Sequence, residues 1–350
     1  MKGAVLLEKI TIYELAKKLD MTPSMISRAL SPNGKVKADK KALIIKEAEK
    51  YGFVPNSFAS RLSMKNIRIG VIIRTKSKIN TEIMLSALKD AFDGIRDYKV
   101  EYDVSLVDAT NENISDTEKL ILSYADFDGL IVSGLSAKKY LPILSAFCEK
   151  NKNLVQVQAV NTDLPCLFSS KHDEVLAANT AAEFLDCCLK RCGSKNILLL
   201  TGDINSALHK RASDAFESAC KSRGLSLVES FDMRDSNELL AQSIDGIFKK
   251  LDGKIDGIYT TSGNSSALFE YLYKNSLSPV VVAFDAHSGV REYIRKGVVT
   301  ATISQDVGGQ MKNAFLSLVS YLVKGVAPEK TIYSDIRLVM QSNLHLFDSN

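Results

Sequence analysis

Tryptophan is absent from the 350 residues, histidine occurs four times and proline seven. No apolar run approaches the ~20 residues that a membrane-spanning helix needs, which excludes a helical spanning protein. The opening MKGAVLLEKI carries an apolar patch of about five residues before Glu8, shorter than a secretory core of roughly 7–15. The expectation is a cytoplasmic protein with no membrane contact. The histidines are scattered and no Cys/His cluster repeats at ligand spacing, so no metal site is expected. GxSxG, HExxH and the P-loop are missing, and GDINSA (202–207) is a loop without the phosphate-cradling lysine. With no catalytic set and no cofactor motif, the chain does not read as an enzyme.

What remains is ordinary globular composition, 25% charged and 45% hydrophobic, long enough for two or three folding units. Six cysteines stand at 148, 166, 187, 188, 192 and 220. Cys187, Cys188 and Cys192 share one helical segment; they read as reduced structural thiols, with a metal site or redox switch as the alternative. Charge is uneven. Residues 1–68 hold 14 Lys+Arg against 6 Asp+Glu, and the remainder holds 31 against 35. A basic head on a mildly acidic body suits a polyanion-binding module carried by a soluble domain.

Within the head, Thr11 is a good N-cap with Glu14 as its capping-box partner. Ile12, Leu15, Ala16 and Leu19 follow at helical spacing. Thr22 caps a second helix with Pro23 at its first position, where the missing N–H costs nothing. Met25, Ile26, Ala29 and Leu30 form its apolar stripe. SPNG (31–34) is a turn. A third helix is predicted from Asp39 to Tyr51, with Ala42, Leu43, Ile45 and Ala48 inward. A helix–turn–helix lays the start of its second helix against base edges. Here that start offers Thr22, Pro23, Ser24, Ser27 and Arg28. Lys35, Lys37, Lys40 and Lys41 are placed to neutralise phosphates, although each alone also reads as a solvated lysine.

ITIYELAKKLDMTPSMISRAL (10–30), KV (35–36) and YGFVPNSFASRLSMKNIRIGVII (51–73) together resemble the LacI/GalR family of bacterial transcription regulators. The resemblance implies that Thr11, Ile12 and Tyr13 meet the DNA backbone. It implies that Val36 and Asn56 seat the module. Ser57 to Ser63 would form a hinge helix on double-stranded operator DNA, with Leu62 wedged into the minor groove. Three positions depart from the family pattern: Ser31, Lys37 and Met25.

From Ile67 onward strands and helices alternate. RIGVII (68–73), DVSLV (103–107), DGLIVS (128–133), LVQVQAV (154–160), NILLLT (196–201), DGIYTT (256–261), VVVAF (280–284) and TATIS (300–304) read as buried strands. Repeated βα units mean parallel sheets with helices on both faces, and the length fits two. Ligands bind beyond the carboxyl ends of such strands. The polar residues there are Arg74, Asn161, Asp163, Asp173, Arg211, Gly263, Asn264, Asp285 and Gln305. Amides, carboxylates and an arginine suit a polyhydroxylated ligand; helix capping by Asp173 and Asp285 is the plainer account. NTDLP (161–165), FDAHSGVREYIRKG (284–297) and ATISQD (301–306) resemble the periplasmic-type sugar-binding fold that forms the body of that family. The resemblance implies effector contacts at Asn161, Asp173, Arg211, Asp285 and Gln305. SGNSSA (262–267) leaves Gly263 or Asn264 for a further contact.

The expected fold class is α/β, a small all-α helix–turn–helix head followed by two doubly wound parallel-sheet lobes. The expected divisions are a head at 9–56, a hinge helix and linker at 57–66, and an effector domain at 67–340. Within that domain the N-lobe takes about 67–185 plus 307–334, and the C-lobe about 186–304 plus 335–345. The expected function is a homodimeric regulator, a repressor, gated by a small carbohydrate effector. A transport-system sugar-binding protein and an effector-independent regulator of the same fold are the alternatives.

Overall fold

The computed structural model describes residues 10, 12–30, 36–51, 66–75, 78–95, 98–151, 153–158 and 161–347. Expectations on Thr11, Lys35, Asn56, Leu62, the turn at 31–34 and the hinge segment at 57–63 lie outside these residues.

Three helices form the head: α1 (Ile12–Lys18), α2 (Pro23–Leu30) and α3 (Ala38–Lys50). The Thr22 hydroxyl accepts the Met25 N–H at 3.3 Å, which is the expected cap, and Pro23 opens α2. Leu15, Ala16, Ile26, Ala29, Ile44 and Ala48 close a small core. The phase of α3 differs from the expectation. Ile44 and Ala48, four residues apart, point inward, whereas Leu43 and Ile45 are left 46% and 38% exposed. Ala42, also expected inward, is exposed as well; Ile44 and Ala48 stack on the face that joins the core, and positions 42, 43 and 45 point away from it.

The body is built on two six-stranded sheets. Strands β1 (Ile67–Thr75), β2 (Val100–Asp108), β3 (Gly129–Ser133), β4 (Leu154–Val157), β5 (Phe168–Lys171) and β11 (Thr331–Tyr333) form the first, in the order β11-β5-β4-β3-β1-β2. Every neighbouring pair in it is parallel. Strands β6 (Asn196–Thr201), β7 (Ser226–Asp232), β8 (Gly257–Thr260), β9 (Val280–Phe284), β10 (Ala301–Ser304) and β12 (Arg337–Val339) form the second, in the order β12-β10-β9-β8-β6-β7. There only the β10–β12 pair is antiparallel. All eight strands expected from apolar runs are present. β5, β7, β11 and β12 were not expected: FSSK reads polar although it is buried, β7 alternates with one face in water, and the last two have three residues each.

Helices cover both faces, as parallel strands require. On the first sheet α4 (Lys78–Asp93) packs along α12 (Val307–Lys324), and α5 (Ile114–Ser123) against α6 (Leu141–Lys150). On the second, α7 (Glu174–Cys188) packs along α8 (Ala207–Arg223), and α9 (Asn237–Lys250) against α10 (Ser266–Lys274). A short α11 (Ser288–Arg295) completes that layer. The alanines of α7 (177, 178, 181 and 182) lie in the core of the second sheet. The chain therefore leaves the first sheet at 172–173, ahead of the boundary expected near 185. It crosses twice more, at 305–306 and 334–336. The crossings are tied together: the Ser334 N–H donates to the Lys171 carbonyl at 2.9 Å, and the Ser334 hydroxyl to the Gln305 carbonyl at 2.9 Å.

Candidate functional site

Two cavities open between the sheets. One, of about 780 Å³, is walled by 136–138 and 161–163 after β3 and β4, by Lys171 and Tyr333, and by 203–208 and Arg211 of the second sheet. The other, of about 690 Å³, lies between α4 and the start of α12 on one side and 285–288 with Arg291 on the other. Both sizes suit a small molecule. The expected effector residues divide between them. Asn161 and Arg211 line the first cavity, and Asp285 the second.

Asp285 follows β9 in the left-handed region, φ +64°. A non-glycine residue held there stores strain that the surrounding contacts must maintain. Its amide donates to the Ile303 carbonyl at 2.8 Å, and its carboxylate accepts the Gln305 amide, also at 2.8 Å. Burial pushes the carboxyl pKa up, against the opposing pull of Gln305, His287 and His209. Gly263 lies against this carboxylate; a Cβ there would stand 3.3 Å from its oxygen and 3.5 Å from the His287 ring. Of the two positions left open in SGNSSA, Gly263 reaches the Asp285 carboxylate. The Asn264 amide instead donates to the Asp235 carbonyl at 3.1 Å.

Three histidines that look scattered in the sequence arrive at this same edge. His209, in the first turn of α8, places Nε2 3.1 Å from the Asp235 carboxylate and Nδ1 3.2 Å from the Thr261 hydroxyl. Burial is the largest single influence on the Asp235 carboxyl and raises its pKa, but the bond and charge of His209 with the hydrogen bonds from Ser262 and Asp203 together outweigh it, and the net shift is downward. His287 donates Nε2–H to the Gly263 carbonyl at 2.9 Å. His172, on the first crossing, is 1% exposed, its Nδ1 has no hydrogen-bond partner, and burial lowers its pKa to about 4. Sequence spacing gave no sign of this grouping, because α8, the β9 loop and the crossing are brought together only by the second sheet.

Two expected residues hold structure instead. Arg74, at the end of β1, donates to Glu112 at 2.9 Å. Glu112 is also bonded by Lys139, Tyr140 and Thr117. Burial pushes the Glu112 carboxyl up, yet these donors together hold it at about 2. Asp173 caps α7, accepting the Val175 and Leu176 N–H groups at 2.9 and 3.0 Å. Asn161 donates to the Ser136 carbonyl at 3.1 Å, which joins the loops after β3 and β4. Arg211 reaches Glu174, Nη2 to Oε2 3.8 Å, with its side chain half-exposed on the cavity wall.

On the head, Thr22, Ser24, Ser27 and Arg28 are exposed on one helix, and Tyr13 is 73% exposed beside them in sequence on α1. Ile12, Pro23 and Val36 are half-buried. Arg28 bends back to the Ser24 carbonyl at 3.3 Å and its hydroxyl at 3.4 Å and is itself exposed. Lys37 and Lys40 are exposed at the start of α3. Among the described residues, no three His, Cys, Asp or Glu side chains converge as a metal set, and no helix is long and apolar enough to cross a membrane.

Catabolite control protein A of Priestia megaterium is 23% identical to the chain over 236 residues, 63% of this chain and 64% of that protein. The chain thus spans just under two thirds of that relative. The fold is shared with the structure of a periplasmic ribose ABC transporter from Conexibacter woesei (TM-score 0.73, 15% identity, 81% of this chain and 95% of that one). GanP, a glucose-galactose binding protein of Geobacillus stearothermophilus, matches with TM-score 0.70 and 17% identity, over 80% of this chain and 99% of its own. A protein assigned as a LacI transcriptional regulator from Bacteroides fragilis matches with TM-score 0.70 and 15% identity, over 81% and 99%. The periplasmic binding protein domain family matches residues 69–325, both sheets but not the head. Most of its length being covered by that match, the chain belongs to the periplasmic binding protein domain family.

Proposed function

We propose that the chain is a DNA-binding transcription regulator, a repressor, whose operator affinity is set by a small carbohydrate held between the two sheets. One observation carries this reading: a basic three-helix head, with Thr22, Ser24, Ser27 and Arg28 exposed together, is joined in one chain to a body of the periplasmic binding protein family. Hydroxyls and an arginine fork at the start of a second helix match what a major groove offers. The kinship with a catabolite control protein and the likeness to a LacI regulator support the same reading. Residues 9–56 serve as the reading head, 57–66 as the linker and 67–340 as the sensor. Two copies related by a twofold axis would present two heads to a pseudo-palindromic site, in the cytoplasm where the nucleoid lies.

The carbohydrate assignment draws on the cleft and on the bodies it resembles, several of which are sugar-binding proteins. A sugar-delivering component of a transport system would use the same body, and the basic head gives no support to that alternative. Thermal shift of the full chain against D-ribose, D-glucose, D-galactose, D-arabinose and myo-inositol tests the sensor half. Saturable stabilisation by one of them, absent in Asp285→Ala, is the expected outcome. Silence across the panel, or the same titration in the variant, counts against the cleft assignment.

A further inference from the structure

We infer that Lys171 and Glu174 form a latch that sets the mutual angle of the two sheets, and that Arg211 is the arm through which the cavity acts on it. This goes beyond the regulator reading and needs neither DNA nor a known ligand to test. Lys171 is the last residue of β5 in the first sheet, and Glu174 the first residue of α7, whose alanines lie in the core of the second. Only His172 and Asp173 separate them, so the ion pair spans the first crossing. Its ammonium lies 3.0 Å from both carboxylate oxygens. The two side chains are 7% and 5% exposed. A charge so far from water cannot lose its partner without a large penalty, so the pair holds whatever geometry it spans.

Rotation of one sheet on the other has to turn the backbone at 172–173, and that turn changes the separation of Lys171 and Glu174. The other crossings share the brace. The Lys171 carbonyl accepts from Ser334 on the third, and the Ser334 hydroxyl donates to Gln305 on the second. Arg211 supplies two settings. Its guanidinium stands 3.8 Å from Glu174 with 49% of the side chain exposed, and it lines the 780 Å³ cavity. In the structure it shares the Glu174 carboxylate with Lys171. A ligand oxygen that draws Arg211 away leaves that carboxylate to Lys171 alone, which tightens the pair across the crossing.

Hydrogen–deuterium exchange on the ligand-free full chain tests this. In Glu174→Gln, amides at 172–174 and 334–336 should exchange at least about tenfold faster than in the native chain while β1 and β8 stay protected, because only the crossings are freed. Lys171→Met/Glu174→Leu, which buries no orphan charge, guards against misfolding and should keep the crossings fast. Lys171→Arg, which keeps the charge, should leave them near the native rate. Arg211→Ala should slow them, since Glu174 then serves Lys171 alone. Acceleration spread evenly over both sheets, or native protection at the crossings in the double variant, overturns the latch. Unchanged or faster exchange in Arg211→Ala overturns the role of the arm.

Discussion

Glu112 shows how much one carboxylate can organise. Four side chains converge on it, and Arg74 at the end of β1 and Tyr140 beyond β3 are thereby tied together. Replacing it with Gln leaves Arg74 and Lys139 facing a neutral group, and a loss of about 2 kcal/mol or more in urea unfolding is expected. The folded carboxyl releases its proton near 2 and the free one near 4.5. Its contribution is therefore complete above pH 4.5 and disappears as pH falls toward 2. His172 acts in a higher window. Buried and neutral, it titrates near 4 against an ordinary 6.5. Protons thus favour the unfolded chain as pH falls from 6.5 toward 4, by on the order of 2–3 kcal/mol. His172→Asn should flatten the stability profile between pH 6.5 and 4 and leave the steeper fall below 4.5. An unaltered slope in that upper window would show that the imidazole is not held neutral.

At the scale of elements, the head is expected to be the weakest unit, because among the described residues its three short helices share a core of six buried side chains. Ile26→Ala should cost about 2–5 kcal/mol, comparable with the whole stability of so small a unit. Amide exchange should then show the head open while both sheets keep native protection; concerted loss in the body would mean that the units are not independent. These elements differ in how far the sequence reveals them. The caps at Thr22 and Asp173 were legible because capping is local chemistry. The eight buried strands were legible from their apolar runs. β5 was not, since Ser169, Ser170 and Lys171 are buried by neighbours far along the chain. The site was half legible. Asp285 and Gln305 could be placed by resemblance and do meet, but nothing local told that Arg74 would be taken by Glu112 or that His209 would meet Asp235.

At the scale of the whole molecule, a three-helix head is carried by a body whose two sheets are joined by three braced crossings. Any coupling between them needs a ligand that favours one mutual angle of the sheets, typically by 1–3 kcal/mol. The latch proposed at 171–174 would act on that angle. The most direct test of the central claim is selection of the full chain against a random duplex library, with Arg28→Ala in parallel. The expected outcome is enrichment of a pseudo-palindromic sequence, bound about 1–3 kcal/mol more weakly by the variant, the worth of a good base contact. Recovery of no sequence above background, or identical recovery by both proteins, would contradict it.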